Sequence, residues 1–486
     1  MKVMFLIPPS RFVKNVARDL IYGCWCKGKR IGGIQFPPVS QLQVATVLSN
    51  AGHDVVLYDA FNMRKHTEDI KRAIRGFDAV VVLTSTSTIN EDSEVLLELK
   101  LENHHLKTIC YGSHPTFMPL QVIQKKGIDI AVRREPEFII RDLLEAMSRG
   151  KDSWQGTPGI TFQSDGEIVS NPDYPFIGNL DMLPFPDWTL LPREATYFNP
   201  VVKRIPFASM VTSRGCFGNC IFCTAKKFYG ETIRFKSADK VVEEMAILQS
   251  QGYREIFFRD ELFTVNRQRV VDICRGIKKQ KIDLAWICSS RVDLVDLEIL
   301  GIMKDAGCHM IRFGVESGSQ QILDSIKKGT TIKQIREAFA WANRESLDTH
   351  AHLMLGCPGE TEETVRQTIS FIKKIRPTVA TFGICTPYPG TELFERVRDI
   401  FPDINDGASC DLRNIHTAAF YNQAFTKLSN KQLANSIRRA YRKFYLRPLY
   451  ISQWIGRLES LSEAKRVFLA GLQLFDFIAR GETRVL

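Results

Sequence analysis

Three cysteines, Cys216, Cys220 and Cys223, crowd the segment Ser213-Arg214-Gly215-Cys216-Phe217-Gly218-Asn219-Cys220-Ile221-Phe222-Cys223. The C-x₃-C-x₂-C spacing puts three thiolates on one tight loop, where they can ligate three corners of a cubane iron–sulfur cluster. The fourth iron is then open to an external ligand, which suits chemistry rather than electron storage. Zinc is the competing reading, but a structural zinc site takes four ligands at knuckle-like spacing. No Cys or His lies between Cys223 and Cys274 to supply the fourth. The pattern predicts a 4Fe–4S cluster on the three thiolates.

The other nine cysteines mostly sit in apolar runs and read as small buried hydrophobes. Cys24 and Cys26 flank Trp25 in a Gly-rich loop, a spacing that carries little information. A disulfide framework is not expected in a chain of this kind.

The cysteine loop resembles the signature of the radical S-adenosylmethionine superfamily. In that superfamily the methionyl amine and carboxylate of the cofactor chelate the open iron. An electron from the reduced cluster then cleaves the cofactor to a 5′-deoxyadenosyl radical. The resemblance implies that Phe222 lies against the adenine. Later segments are similar to motifs of the cobalamin-binding branch of the superfamily, one per predicted strand. Phe258-Arg259-Asp260-Glu261-Leu262-Phe263-Thr264 is similar to the second-strand motif, and WICSSRVD, from Trp286 through Asp293, to the third. Phe313-Gly314-Val315-Glu316-Ser317-Gly318 is similar to the fourth, which contacts the ribose and methionyl amine. Leu355-Gly356-Cys357-Pro358-Gly359-Glu360 is similar to the fifth, and Pro387-Tyr388-Pro389-Gly390-Thr391 to the sixth-strand closure. The resemblance implies S-adenosylmethionine contacts from Phe222, Asp260, Arg291, Gly314, Glu316, Ser317, Gly318 and Gly356. A buried carboxylate such as Glu316 can fix an ammonium group through a charge-assisted contact. Arg291 is left with two partners, the cofactor carboxylate or Glu316.

The elements that must position these residues read as an α/β fold. Residues 1–145 alternate strand and helix, with strands at 3–7, 54–58, 79–84, 108–111 and 128–132. That pattern predicts a doubly wound parallel sheet, which binds ligands beyond the carboxyl ends of its strands. Residues 146–205, rich in Pro, Gly and Asp, read as a linker with a small hairpin. A second series over 206–405 has strands at 208–212, 255–259, 285–289, 310–315, 350–355 and 381–386. Six βα units predict a partial TIM-like barrel with chemistry at its carboxyl-end face. Residues 406–486 read as a small, basic, helical third domain.

The resemblance implies that the amino-terminal sheet binds cobalamin. Thr84, Ser85 and Thr86, the turn Gly112-Ser113-His114 and Glu135 lie at its strand ends and are the candidate contacts. Hydroxyl-rich loops suit a large corrinoid that needs many hydrogen bonds and few charges. The domain has no Asp-x-His-x-x-Gly motif, so His114 is not assigned to cobalt. A degenerate flavodoxin-like domain that only shapes the active site is the competing reading.

The net charge of +11 is uneven: residues 431–486 hold eleven Lys or Arg against four Asp or Glu. With the remainder nearly balanced, a nucleic-acid-binding face spread over the molecule is not expected. Basic and aromatic residues mix in this tail, for example Arg438, Arg442 and Lys443 with Phe444, Tyr445 and Trp454. A docking helix is the simplest reading, with weak contact to an anionic membrane surface as the alternative. No apolar stretch is long enough for a transmembrane helix, and the first residues do not form a signal peptide, so a cytoplasmic location is expected.

The resemblance implies a cobalamin-dependent radical methyltransferase that modifies an unactivated carbon of a small-molecule or lipid substrate. A flavodoxin- or ferredoxin-type electron donor would serve it. A radical cyclase, ring-contracting or oxygen-inserting enzyme is the second reading, and a corrinoid or iron–sulfur carrier without turnover is the third. The substrate pocket is expected to border residues 24–35 and the carboxyl-terminal domain.

Overall fold

The computed structural model describes residues 1–9, 34–150, 153–408 and 421–480. Cys24, Cys26 and most of the loop expected to border the substrate lie outside the described residues.

Five strands form the parallel core of the amino-terminal unit: β1 (Lys2–Ile7), β2 (Asp54–Asp59), β3 (Ala79–Leu83), β4 (Lys107–Tyr111) and β5 (Ile130–Val132). They are ordered β2-β1-β3-β4-β5. The unbroken apolar run of β1 follows from burial on both faces. Val3 and Phe5 face one apolar cluster, whereas Met4 and Leu6 face the other. β6 (Ile160–Ser164) and β7 (Glu167–Ser170) form a hairpin that pairs antiparallel with β5 and completes a seven-stranded sheet. The hairpin expected in a linker is therefore part of the first unit. The helix Pro136–Arg149 also runs past the expected boundary at residue 145.

The second unit holds β8 (Phe207–Met210), a short ribbon of β9 (Ser213–Arg214) and β10 (Arg234–Phe235), and then β11 (Glu255–Phe258), β12 (Ala285–Ser290), β13 (Cys308–Glu316), β14 (Asp348–Leu355) and β15 (Val379–Ile384). Six of these make a parallel sheet ordered β15-β14-β13-β12-β11-β8. Phe257, Ser289, Arg312, His352 and Thr381, from five successive strands of that sheet, line one cavity, so it curls round a common interior as a partial barrel.

The expected third domain is not separate. The helix Asn430–Tyr445 lies along β15, the open edge of the barrel. An edge strand presents unpaired backbone groups, and two tyrosines satisfy them. Tyr441 Oη accepts from Phe382 N at 3.1 Å, and Tyr445 Oη accepts from Ala380 N at 3.1 Å and donates to Ala380 O at 2.7 Å.

Candidate active site

The cysteine loop leaves β9 and ends at the short helix Ala225–Tyr229. Its stem is held by Asp260, which accepts from Thr212 N and Thr212 Oγ1, both at 2.6 Å, and from Ser213 Oγ at 2.7 Å. Gly218 N donates to Cys216 Sγ at 3.4 Å. A methyl group on Gly218 would stand 3.3 Å from Cys216 Sγ and 3.8 Å from Cys220 Sγ, so that glycine leaves a cradle between two sulfurs. Burial pushes all three thiols up, Cys223 to about 12, while the Lys328 and Arg291 cations pull Cys220 back. Among the described residues no three His, Cys, Asp or Glu side chains converge as ligands of a single metal ion. Three sulfurs bordering one cavity fit a polynuclear cluster better than zinc.

That cavity, about 370 Å³, is lined by Cys216, Cys220, Cys223, Phe222, Arg291, Gly314 and Glu316. From the amino-terminal sheet it receives Ser85, Thr86 and Ser113. It therefore lies between the carboxyl ends of both sheets, the face where parallel sheets bind ligands.

Glu316 sits at a register shift between β13 and β14 and has a left-handed backbone, with φ 61°. Such strain in a non-glycine residue is held in place by its surroundings. Its carboxylate accepts from Lys328 Nζ at 2.8 Å, and both residues are buried. Gly314 makes room for the pair, since a Cβ there would fall 2.4 Å from Glu316 Oε1 and 2.7 Å from Lys328 Nζ. Although burial opposes it, pairing with Glu316 holds the Lys328 ammonium above its ordinary range. Of the two partners the sequence left open for Arg291, Glu316 is bound by Lys328 instead. Arg291 donates to both oxygens of Asp293 at 2.9 Å and to Lys328 O at 2.9 Å, and faces the Phe217 ring at 5.5 Å.

Several expected contacts lie elsewhere. Asp260 faces the stem, and its neighbour Glu261 lines the cavity in its place. Ser317 Oγ meets Thr368 Oγ1 at 3.1 Å, and Gly318 N donates to the same hydroxyl, so both pack on the helix Glu362–Ile375. Gly356 donates to Glu360 Oε2 at 2.6 Å and is covered by Asn422 and Leu433. Thr84 donates to Asp92 at 2.7 Å, and Gly112 packs on the Thr84 carbonyl behind the cavity wall. His114 is fully buried, with Nδ1 3.1 Å from Thr86 Oγ1 and Nε2 3.4 Å from Asp406 Oδ2. Although burial opposes it, the bond from His114 helps to hold Asp406 down to about 2.

Glu135 has a structural partner set. It lies 3.2 Å from Arg214 and 2.8 Å from Arg234, and accepts from Ile177 N at 2.8 Å. With Glu137 it anchors the second unit to the start of the helix Pro136–Arg149, where acidic groups also meet the favourable end of the helix dipole.

The sequence reading missed Lys328, Glu261, Arg259, Arg312, His350 and His352, all of which line the cavity. A signal existed for the last three: ionisable residues at alternating positions inside strands that are otherwise apolar.

The chain is 32% identical to the uncharacterized methyltransferase PH0819 of Pyrococcus horikoshii over 452 residues, spanning 92% of this chain and 93% of that protein. The Radical SAM superfamily model matches residues 210–372, and the B12 binding domain model matches residues 33–144. The chain belongs to the cobalamin-binding radical S-adenosylmethionine methyltransferase family. The anaerobic magnesium-protoporphyrin IX monomethyl ester cyclase of Rubrivivax gelatinosus is 29% identical over 76% of this chain and 68% of its own length. The fold matches the radical S-adenosylmethionine methyltransferase TsrM of Kitasatospora setae, with a TM-score of 0.68 and 20% identity, over 82% of this chain and 78% of that one. OxsB, a cobalamin-dependent S-adenosylmethionine radical enzyme, also has a TM-score of 0.68, with 16% identity, over 98% of this chain and 72% of its own.

The cofactors of this radical S-adenosylmethionine enzyme are a 4Fe–4S cluster, S-adenosylmethionine and cobalamin. The site fits all three. The cysteines border the cavity, Gly314 leaves room beside Glu316, and the amino-terminal loops bring hydroxyls to its rim. Beside those loops, Ser87 Oγ and Tyr111 Oη are buried without a hydrogen-bond partner among the described residues.

Proposed function

We propose that this enzyme methylates an unactivated carbon of a small-molecule or lipid substrate in the cavity between its two sheets. One observation carries the reading: the cysteine trio, the Glu316–Lys328 pair and the hydroxyls of the amino-terminal sheet border a single cavity. The bound cofactors supply a carbon-centred radical and a methyl group, chemistry that a C–H bond without an acidic proton requires. Cys216, Cys220 and Cys223 hold the cluster. Glu316 orients the methionyl ammonium through its remaining carboxylate oxygen, with Lys328 placed for the methionyl carboxylate. Phe222 and Gly314 shape the adenosyl side, and Ser85, Thr86 and Ser113 contact the corrinoid. Apolar walls such as Phe36, Phe257 and Phe382 exclude water, which protects a reactive radical.

The test is anaerobic purification with iron and corrinoid analysis, followed by incubation with dithionite and S-adenosylmethionine. Expected are a visible cluster absorbance, about one corrinoid per chain, and formation of 5′-deoxyadenosine and S-adenosylhomocysteine. Cys216→Ala, Cys220→Ala and Cys223→Ala should each abolish the absorbance, whereas Cys274→Ala should not. Full activity without corrinoid would overturn the assignment of the amino-terminal unit.

The cyclase of Rubrivivax gelatinosus supports a second reading, radical cyclisation without methyl transfer. A product that gains one CH₂ unit separates the two. A reductant is required in either case, and a flavodoxin or ferredoxin type fits the need. We place the enzyme in the cytoplasm, touching anionic membrane through its carboxyl-terminal helices. Among the described residues no helix is long and apolar enough to cross a membrane, but the helix Leu461–Arg480 turns Leu461, Phe468, Leu472 and Phe475 outward.

A further inference from the structure

Two polar side chains in the wall of the cavity have no task in that reading. His350 and His352 lie two residues apart on β14, so both turn to the same face of the sheet, and both line the cavity. Asn199 joins them from the segment before β8. Its Oδ1 accepts from Val201 N at 3.1 Å, which fixes the amide with Nδ2 at the other end. That Nδ2 is buried without a hydrogen-bond partner among the described residues, and so is His350 Nδ1. Both residues are almost wholly buried.

The hydrogen bonds around the histidines decide which ring nitrogen carries the proton. The two rings stack 4.1 Å apart, and both are held neutral, with burial as the first cause for each. A neutral imidazole has one donor nitrogen and one acceptor. Arg312 Nη2 donates to His352 Nε2 at 2.8 Å, so the proton of that ring is on Nδ1, where it meets Thr381 Oγ1 at 3.0 Å. The Thr381 hydroxyl accepts there and gives its own proton to His350 Nε2, 3.2 Å away. His350 Nε2 is therefore an acceptor, and the proton of His350 is on Nδ1. A buried N–H with nothing to receive it costs free energy, which a ligand oxygen placed against it recovers.

We propose that His350 is the polar anchor of the substrate, its Nδ1–H donating to an uncharged carbonyl oxygen carried on an otherwise apolar body. The unpaired groups of His350 and Asn199 are both donors, so the complementary ligand brings an acceptor. A neutral ring and a neutral amide ask for no charge on it. Phe257 and Phe382, on the same cavity wall, would take the apolar part. Arg312 acts through His352 and Thr381, by fixing the His350 proton on Nδ1. The inference rests on the cavity being the reaction chamber proposed above.

The probes are cyclohexanone, methylenecyclohexane, which has the same shape without the oxygen, and cyclohexanecarboxylate. Binding to the cluster- and corrinoid-loaded enzyme is followed by ligand-observed NMR. The ketone is expected to bind roughly tenfold more tightly than the alkene, a difference of about 1.4 kcal/mol, and its carbonyl stretch should fall to lower frequency on binding. His350→Phe should erase most of the preference and the frequency shift. His350→Gln, whose amide can still donate, should retain part of both. Iron content, corrinoid content and affinity for S-adenosylmethionine should match the parent enzyme in both variants, which also shows that they fold. Equal binding of ketone and alkene, or a preference that survives His350→Phe, overturns the proposal while leaving the reaction chamber intact. A preference lost in Asn199→Asp alone also overturns it, by moving the anchor to Asn199. Tighter binding of the carboxylate than of the ketone overturns it as well, since charge would then select the ligand. A parallel loss of S-adenosylmethionine affinity does the same, because His350 would then hold the cofactor. Failure of the chamber itself would register separately, as a parent enzyme that never cleaves S-adenosylmethionine.

Discussion

Arg214, two residues before Cys216, meets Glu135 at 3.2 Å across the junction of the two sheets. Both side chains are almost wholly buried, and Arg234 and Glu137 complete the cluster. Burial opposes ionisation of Glu135, yet the two guanidiniums hold its carboxyl below the ordinary range. This geometry couples the placement of the cysteine loop to the seating of the amino-terminal sheet.

Removing one member of such a cluster strands a buried charge. Glu135→Ala is expected to destabilise the protein by about 3–5 kcal/mol, read as a lower denaturant midpoint. Corrinoid stoichiometry at saturation should be unchanged, since Glu135 does not border the cavity. A folded-state pKa below the unfolded value makes the contribution complete above 4.5 and lost as pH falls through the folded value. Normal stability with lost corrinoid would return Glu135 to the cofactor.

The pair Glu316 and Lys328 supports a second prediction. Glu316→Gln and Lys328→Met should each weaken S-adenosylmethionine binding by about 1.5–3 kcal/mol, the range for hydrogen bonds to charged groups. Because the two residues touch, the double variant should lose less than the sum. Iron content should stay at the parent level. Additive losses would show that the residues act on the cofactor independently.

What the sequence disclosed follows a physical division. The convergence of Cys216, Cys220 and Cys223 on one cavity was legible because three thiols at that spacing must share one tight loop. The strands were legible because a sheet covered on both faces needs unbroken apolar runs, such as Ala79–Leu83. Side-chain direction at strand ends was not legible. Asp260 and Glu261 are adjacent carboxylates, and only the fold decides that Asp260 braces Thr212 while Glu261 meets the cavity. Lys328 follows a helix and reads as a surface lysine until the fold buries it beside Glu316. The hairpin at 160–170 reads as part of a linker because its pairing with β5 is made by backbone groups, which leave no mark on residue type.

Three buried histidines predict an acid limit. His114, His350 and His352 are each held neutral, with burial as the first cause. A folded pKa below the unfolded value of 6.5 makes their contribution complete above that pH, and it is lost as pH falls toward the folded values. Each should contribute a slope of about 1.4 kcal/mol per pH unit below that point. Thermal unfolding followed from neutral pH downward checks this, with His350→Gln expected to flatten the curve. An unchanged slope would mean that His350 takes up a proton in the folded protein.

The inner face of the helix Leu461–Arg480 carries Phe477 together with Glu463, Arg466 and Gln473, and Arg466 donates to Val202 O at 2.9 Å and Lys203 O at 3.0 Å. Its outer face repeats at helical spacing through Leu461, Phe468, Leu472 and Phe475, which are 91%, 65%, 43% and 59% exposed. Leu449 and Ile455, on the preceding helix Pro448–Ile455, are exposed by 68% and 67%. An apolar stripe on a helix that also exposes Lys465 fits the surface of an anionic bilayer, where apolar insertion and charge attraction add. Flotation with vesicles containing anionic lipid should therefore capture the protein at low salt. Capture should fail as salt rises to a few hundred millimolar, where the Debye length falls below ~8 Å. Phe468→Ser with Phe475→Ser should abolish capture while leaving the melting temperature unchanged, because neither side chain supports the core. Equal capture of the double variant would assign the binding to charge alone. No capture combined with concentration-dependent dimerisation would assign the stripe to a second copy of the chain.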